Sequence, residues 1–308
     1  MSDSAVVAAV ETRGAREVRC GTIRLMTWLL VPSDVLHPHR ADEHFAAEAR
    51  AARAAGMSVA LVDHDALSRG LDADRAVRRV TGGGAAIYRG WMLRGEQYRA
   101  FDAALRRRGV ELRTDAERYR RAHELPGWYD RLAALTPRSV WTTGVDRAAF
   151  DAARQELGAG PAVLRDHTKS LKHRWHEAMF VPDLADADAA WAVARRFREL
   201  RGEDLVGGFV LRRFETFVSA EVRTWWVDGD CRLVGAHPDT PRDEPGEVPD
   251  LAAAPLIAGL GLAFATADFA RREDGSWRLV ELGDGQVSDR PGTVAADELI
   301  AALLGPGG

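Results

Sequence analysis

Lysine is nearly missing from this chain of 308 residues: of its 42 lysines and arginines, Lys169 and Lys172 are the two lysines, and the other 40 are arginine. Cysteine is almost as scarce. Cys20 and Cys231 have neither a CxxC spacing nor the density of a secreted disulfide framework, so a reducing cytoplasm is the expected location. No apolar run approaches the roughly 20 residues that cross a bilayer, and no membrane partner is expected. The net charge is −4, and the arginine-rich spots at 106–108 and 195–196 are interleaved with acids, which argues against nucleic acid as a partner. Residues 1–25 carry an early acid and no sustained apolar core. They read as a flexible tail, or as an upstream start before Met26, rather than as a signal peptide. The TGGG at 81–84 precedes a strand and lacks the GKS/T ending of a phosphate loop, so it reads as a plain loop. No convincing Ser-His-Asp or Cys-His arrangement appears. The histidines at 37, 39 and 44, and those at 173 and 176, complete no zinc pattern.

What is present falls into two halves with different grain. The apolar run MTWLLVP from Met26 predicts a strand, an alanine-rich helix follows over 41–55 with Gly56 as its cap, and SVALVD at 58–63 predicts the next strand. AAIYRG at 85–90, a helix over 95–108 and VELRT repeat the pattern, which predicts a parallel sheet with crossover helices. Residues 115–135 read as helices broken at Pro126 and Gly127, and 136–143 as a connection that holds the domain boundary. A helix over 146–157, strand PAVLRD and a helix over 186–201 then lead into a series of strands. WVDGDCRLV and ARREDGSWRLV each place a D-G pair between strand-like runs, a strong hairpin signal. The second half is therefore expected to be mostly antiparallel, ending in a helix over 294–304.

Three groups of residues stand out as candidates for chemistry. In PAVLRDHTKSLKHRWHEAMF, at 161–180, the two lysines lie three residues apart in a chain that otherwise uses guanidinium for its cations. They mark either a phosphate site or a solvated helix face. His173, beside Lys172, reads as a further phosphate or substrate contact, whereas Trp175 and Phe180 read as core. Asp268 lies in one strand of the last hairpin and Glu281 in the next, with Asp284 three residues on; carboxylates brought together this way call for a cation or a proton between them. Arg212, Arg213, Glu215, Glu221 and Arg223 form a charged ladder in two successive strands. Arg212 and Arg213 alternate faces, so one of them at most points into a cleft.

Taken in order, these parts resemble the ATP-grasp superfamily over 161–308: a strand with a basic residue, a cover loop, a hinge ladder, an acid on one strand and E-x-x-N/D on the next. VLRDHTKSLKHRW, LRRFETFVSAEVRTWWVDG and VELGDGQVS look like the clade described by two arginines and one lysine, and YRGWML and ELPGWYDRL look like that clade's preceding domain. The resemblance implies an α+β protein. Its ATP-grasp fold, two α+β lobes sandwiching a nucleotide, would occupy 144–308 and follow a small α/β parallel-sheet domain at 26–143. It also implies ATP and Mg²⁺, with Arg165 and Lys169 on the phosphates, Ser170 in the cover loop, and Lys172, His173 and Arg212 among the nucleotide contacts. Phe214 and Glu215 would form the hinge beside adenine and ribose, Glu221 and Arg223 would face the cleft, and Asp268, Glu281 and Asp284 would hold the metal. Two positions depart from the superfamily's habit: arginine stands where lysine is common at Arg165, and aspartate where asparagine is common at Asp284.

The activity implied is that of a carboxylate-amine ligase working through an acylphosphate, with Arg223 or Arg213 orienting the acid and Lys169 offsetting phosphoryl charge. Arg89, at a strand end of the first domain, is a candidate for the second substrate. The partners would be small-molecule or peptide carboxylates and amines. A phosphotransferase on the same scaffold and a nucleotide-binding module without turnover are the alternatives.

Overall fold

The structure, a computed structural model, describes residues 27–243, 249 and 253–305. The tail expected at 1–25, with Cys20, lies outside the described residues.

Strands β1 (Trp28–Pro32), β2 (Ser58–Val62), β3 (Gly84–Tyr88) and β4 (Val110–Leu112) form a parallel sheet in the order β2-β1-β3-β4. Helices α1 (Ala46–Ala54), α2 (His64–Ser68), α3 (Ala73–Ala76) and α4 (Gly95–Arg106) lie in the crossovers that parallel strands require. Every residue of β1 is buried, because both faces of the sheet are covered. Trp28 and Leu30 join one core with Ala86 and Tyr88, while Leu29 and Val31 join another with Ile87. Each such buried leucine or valine contributes about 1.5–3 kcal/mol. The expected glycine cap of α1 is in place, with Gly56 at φ 81°.

Helices α5 (Ala116–His123) and α6 (Leu125–Leu132) lead out of this sheet. The break expected at Pro126 and Gly127 falls at Glu124, whose backbone is extended; Pro126 sits in the first turn of α6, where an absent N–H is tolerated. At this joint the Leu125 N–H donates to the His167 carbonyl at 2.7 Å, tying the helices to the lysine segment.

Strands β5 (Ser139–Trp141), β6 (Ala162–Asp166), β7 (Phe180–Val181) and β8 (Phe209–Arg213) form an antiparallel sheet ordered β5-β8-β6-β7. It shares a core with α7 (Arg147–Leu157) and α8 (Ala187–Arg201). β5 lies inside 136–143, which was expected to be a connection; three residues are too few to show a period. The HRWH stretch, expected to be helical, forms a 3-10 turn at Lys172–Arg174 and a single π turn at Trp175–Met179.

The last sheet, ordered β10-β9-β11-β12, is antiparallel and consists of β9 (Val222–Val227), β10 (Asp230–Ala236), β11 (Phe264–Arg271) and β12 (Trp277–Asp284). Both D-G hairpins form. Asp228 and Gly229 take positive φ, 50° and 89°, as a two-residue turn between twisted strands demands. On one face of the sheet Trp226, Ala265 and Ala267 pack with Leu125 and Trp128 of α6 and with Ile257 of α9 (Ala254–Ala258). On the other, Trp225 and Phe264 share a core with β1, α1 and α10 (Ala296–Leu304). The architecture is thus α+β: a parallel α/β unit followed by two antiparallel lobes, with the parallel sheet and the last sheet sharing apolar side chains. No helix among the described residues is long and apolar enough to cross a membrane.

Candidate active site

The register of the last sheet sets the site. Asp268 of β11 lies opposite Arg223 of β9 on one side and opposite Glu281 of β12 on the other, so three charged side chains form a row across three strands. They open into a cavity of about 280 Å³, which Asp284, Lys169, Ser170, Lys172 and His173 also line. The lysine segment and the acid hairpin, distant in the chain, therefore meet.

Within the row the charges are unequally satisfied. Arg223 clamps both oxygens of Asp268, with Nε and Nη2 each at 2.8 Å, and Nη2 also lies 3.0 Å from His237 Nε2. Burial alone would raise the Asp268 carboxyl, but the guanidinium outweighs it and holds the group far below the usual carboxylate range. Glu281 touches one cation directly, Arg165 Nη2 at 3.3 Å, and is 27% exposed. Its burial is likewise outweighed, first by Arg165 and then by Lys169, which bring it down to about 2. Asp284 is the opposite case. One oxygen accepts the Gln286 N–H at 2.8 Å, the other is buried without a partner among the described residues, and burial lifts the carboxyl to about 7.

The ammonium of Lys169 is aimed from the backbone. Asp166, fully buried at the end of β6, accepts from the N–H of Thr168 (2.7 Å) and of Lys169 (2.6 Å) and is balanced by Arg201 at 2.9 Å. This turn of an aspartate on its own following N–H groups fixes where the Lys169 side chain leaves the strand. Among the described residues the Lys169 ammonium has no partner. Lys172, by contrast, donates to both oxygens of Glu221, at 2.9 and 3.2 Å. A second cavity, of about 420 Å³, shares Lys169, Ser170, His173, Met92 and His123 with the first. His123 is pushed down to about 4, by burial and then by the charge of Lys169, so its imidazole is neutral at physiological pH.

The other residues singled out from sequence lie around this site or away from it. Arg212 is buried behind Glu281, donating to the Val280 carbonyl and to Ser139 Oγ, and burial followed by the charge of Arg165 lowers it to about 9. Arg213 points to the opposite face, where it donates to the Leu157, Gly158 and Ala159 carbonyls at the end of α7. Phe214 packs against Trp175 and Phe180, and Glu215 pairs with Arg278 at 3.0 Å; neither lines the two cavities. Arg89 is 1% exposed and pairs with Glu48, so it faces no open space for a second substrate. His237, Asp239 and Asp289 line the first cavity and were missed by the sequence reading. His237 follows the end of a strand, and an isolated histidine there carries no motif.

The acids can be tested for a divalent cation. Glu281 is ionised at neutral pH, and Asp284 offers a buried oxygen with no partner among the described residues, so together they supply hard, anionic donors of the kind Mg²⁺ takes. Glu221, His237 and Asp268 also bring ligand atoms within 4.8 Å of one another. There Arg223 already supplies the positive charge, through both oxygens of Asp268.

Residues 156–303 match the model of an ATP-grasp domain, family 3 of the clade named for two arginines and one lysine. No curated protein matches the sequence. Among solved structures, the chain is similar to a RimK domain protein ATP-grasp from Sphaerobacter thermophilus DSM 20745, with TM-score 0.59 and 18% identity over 91% of this chain and 100% of that one. It is similar to the D-cycloserine synthetase DcsG, at TM-score 0.59 and 18% identity, with 90% and 98% covered. It is also similar to the ATP-grasp ligase PsnB complexed with minimal precursor, Mg and ADP, at TM-score 0.55 and 16% identity, with 90% and 97% covered. At these identities the likeness speaks for the fold. With the family match over 156–303, it identifies the chain as a member of the ATP-grasp superfamily, carrying an ATP-grasp domain of that clade's family 3 behind a small parallel α/β unit.

Proposed function

We propose that the chain is an ATP-dependent carboxylate-amine ligase, with residues 26–143 as the preceding domain and 144–308 as the nucleotide-binding domain. The observation that carries the reading is the ammonium of Lys169, without a partner among the described residues, in the same cavity as Glu281 and Asp284. A cation of this kind and acids with donor atoms to spare are what a polyphosphate and its metal require. Neighbours of the same fold described as a synthetase, and as a ligase complexed with Mg and ADP, support it.

In this reading a substrate carboxylate oxygen attacks the γ-phosphorus of ATP, and the bond from γ-phosphorus to the β-γ bridging oxygen breaks to release ADP. An amine then attacks the acyl carbon of the resulting acylphosphate. The carbon–oxygen bond to phosphate breaks, inorganic phosphate leaves, the nitrogen loses its proton, and an amide remains. Lys169 and Arg165 offset the phosphate charge, and the Asp166 turn presets where Lys169 reaches. Glu281 and Asp284 would hold Mg²⁺, which when bound supplies charge neutralisation at phosphate oxygens. Arg223 keeps Asp268 ionised and in place beside Glu281. Arg213 takes no part, because its donors are spent on α7. The acid and the amine are small molecules or peptides, reached through the two joined cavities.

The test is ADP release from the purified chain with ATP, Mg²⁺ and a panel of carboxylates and amines, alone and in pairs. Release that needs both partners is expected, and Glu281→Gln should abolish it while the circular dichroism spectrum stays the same. Turnover with an alcohol alone would make the protein a phosphotransferase instead. Unchanged turnover in Glu281→Gln would remove the metal assignment.

A further inference from the structure

We infer that Arg89 and Gln286 are positioning residues that hold Asp284 in the metal site, so that the first domain completes the active site of the second. The inference rests on the ligase reading above for the role of Asp284, and on a separate set of contacts for the mechanism.

The loop that follows Asp284, residues 285–288, is fastened to β3 and its neighbours at almost every polar atom. Arg89 Nη1 donates to three carbonyls of the loop, those of Gly285 at 2.5 Å, Gln286 at 3.1 Å and Ser288 at 3.0 Å. Its Nε and Nη2 grip both oxygens of Glu48 on α1, at 2.7 and 3.0 Å. The Glu48 carboxyl feels burial upward and Arg89 downward, and the net shift is downward, so the pair is ionised. A guanidinium fixed by a buried carboxylate and aimed at three carbonyls is a rigid fork.

Gln286 makes the second attachment. Its Oε1 accepts the Tyr88 N–H at 3.0 Å, its Nε2 donates to the Tyr98 hydroxyl at 2.6 Å, and its carbonyl accepts the Gly90 N–H at 3.1 Å. Its own N–H is the hydrogen bond that Asp284 Oδ1 receives, at 2.8 Å. The orientation of the amide follows from its partners, since the Tyr88 N–H can face an acceptor alone. Room is also reserved for the loop: a Cβ on Gly285 would fall 2.7 Å from the Phe264 ring. An apolar side chain at position 286 would fill the same space. What requires glutamine is a donor and an acceptor at those two points, and both points belong to the first domain.

Groups that orient a metal-holding carboxylate typically contribute about ten- to a hundredfold to metal affinity. The experiment titrates Mn²⁺ into the full chain with the non-hydrolysable nucleotide AMPPNP, followed by electron paramagnetic resonance, for the parent, Gln286→Met, Arg89→Lys and Tyr98→Phe. Amide hydrogen exchange of residues 285–288 is measured on the same samples without metal. Gln286→Met is expected to weaken Mn²⁺ binding about tenfold or more and to speed exchange in the loop. Nucleotide binding in EDTA should stay within about twofold of the parent. Arg89→Lys, which keeps a donor near the carbonyls, should fall between. Mn²⁺ affinity within about twofold of the parent in folded Gln286→Met overturns the inference and leaves the ligase reading standing. A parent that binds no Mn²⁺ overturns both. Should Gln286→Met fail to fold, Tyr98→Phe, which removes a single hydroxyl, carries the same two readouts and the same criterion.

Discussion

Replacing Asp284 by asparagine should stabilise the metal-free protein at alkaline pH and hardly at all at pH 5. In the fold this carboxyl titrates at about 7, against 3.8 for an ordinary aspartate, because it is buried with one oxygen unpartnered among the described residues. The sign follows from proton linkage. Between pH 3.8 and about 7 the folded state keeps a proton that the unfolded chain has lost, so stability falls as pH rises through that window and levels off above it. A difference of this size is worth about 4 kcal/mol above pH 7 and about 2 kcal/mol at pH 5. Asparagine keeps the acceptor for the Gln286 N–H and removes the charge, but it leaves an amide N–H₂ without an acceptor, at about 1–3 kcal/mol. The net gain is about 1–3 kcal/mol at pH 8 and near zero at pH 5. Urea midpoints for parent and variant in EDTA at the two pH values measure it directly. A pH-independent difference, or a variant less stable than the parent at pH 8, would refute the burial argument. With Mg²⁺ and nucleotide present, the order should reverse, since the parent then has a cation to set against its charge.

Two further predictions probe the neighbouring arginines. Arg223→Met should destabilise the fold by about 3–5 kcal/mol by stranding Asp268 beside Glu281, and the double variant Arg223→Met with Asp268→Leu should recover most of that loss; denaturant titration of the three proteins checks both. Arg213→Ala should leave ATP cleavage within about twofold of the parent and lower stability by about 1 kcal/mol, because its donors serve the carbonyls at the end of α7; a large loss of turnover with normal folding would return Arg213 to the site.

Much of the fold was legible because its signals are local. A continuous apolar run such as WLLVP means a strand covered on both faces, and the alternation of Leu29 and Leu30 between two cores follows from the pleat. The D-G pairs fixed the hairpins, and a hairpin fixes register, so the approach of Asp268 and Glu281 could be anticipated from the chain alone. The scarcity of lysine pointed to Lys169, which proved to be a cation without a partner among the described residues. Short elements were illegible for the same reason in reverse. β5 has three residues, and its place is decided by β8, far along the chain.

What each charge does could not be read this way, because a charge acquires its role from its partner. Arg223 and Arg213 look equivalent in the ladder, yet one clamps Asp268 inside the cavity and the other caps α7 on the far face. Arg89 sits at a strand end where a ligand contact is expected, and Glu48, on a helix well before it in the chain, turns it into a buried clamp on the loop after Asp284. Composition, period and turn chemistry act within a few residues and determined the strands, the hairpins and the pairing of the acids. Burial and ionic partnership act across the fold, and they alone decided which of those charges stay free to meet a ligand.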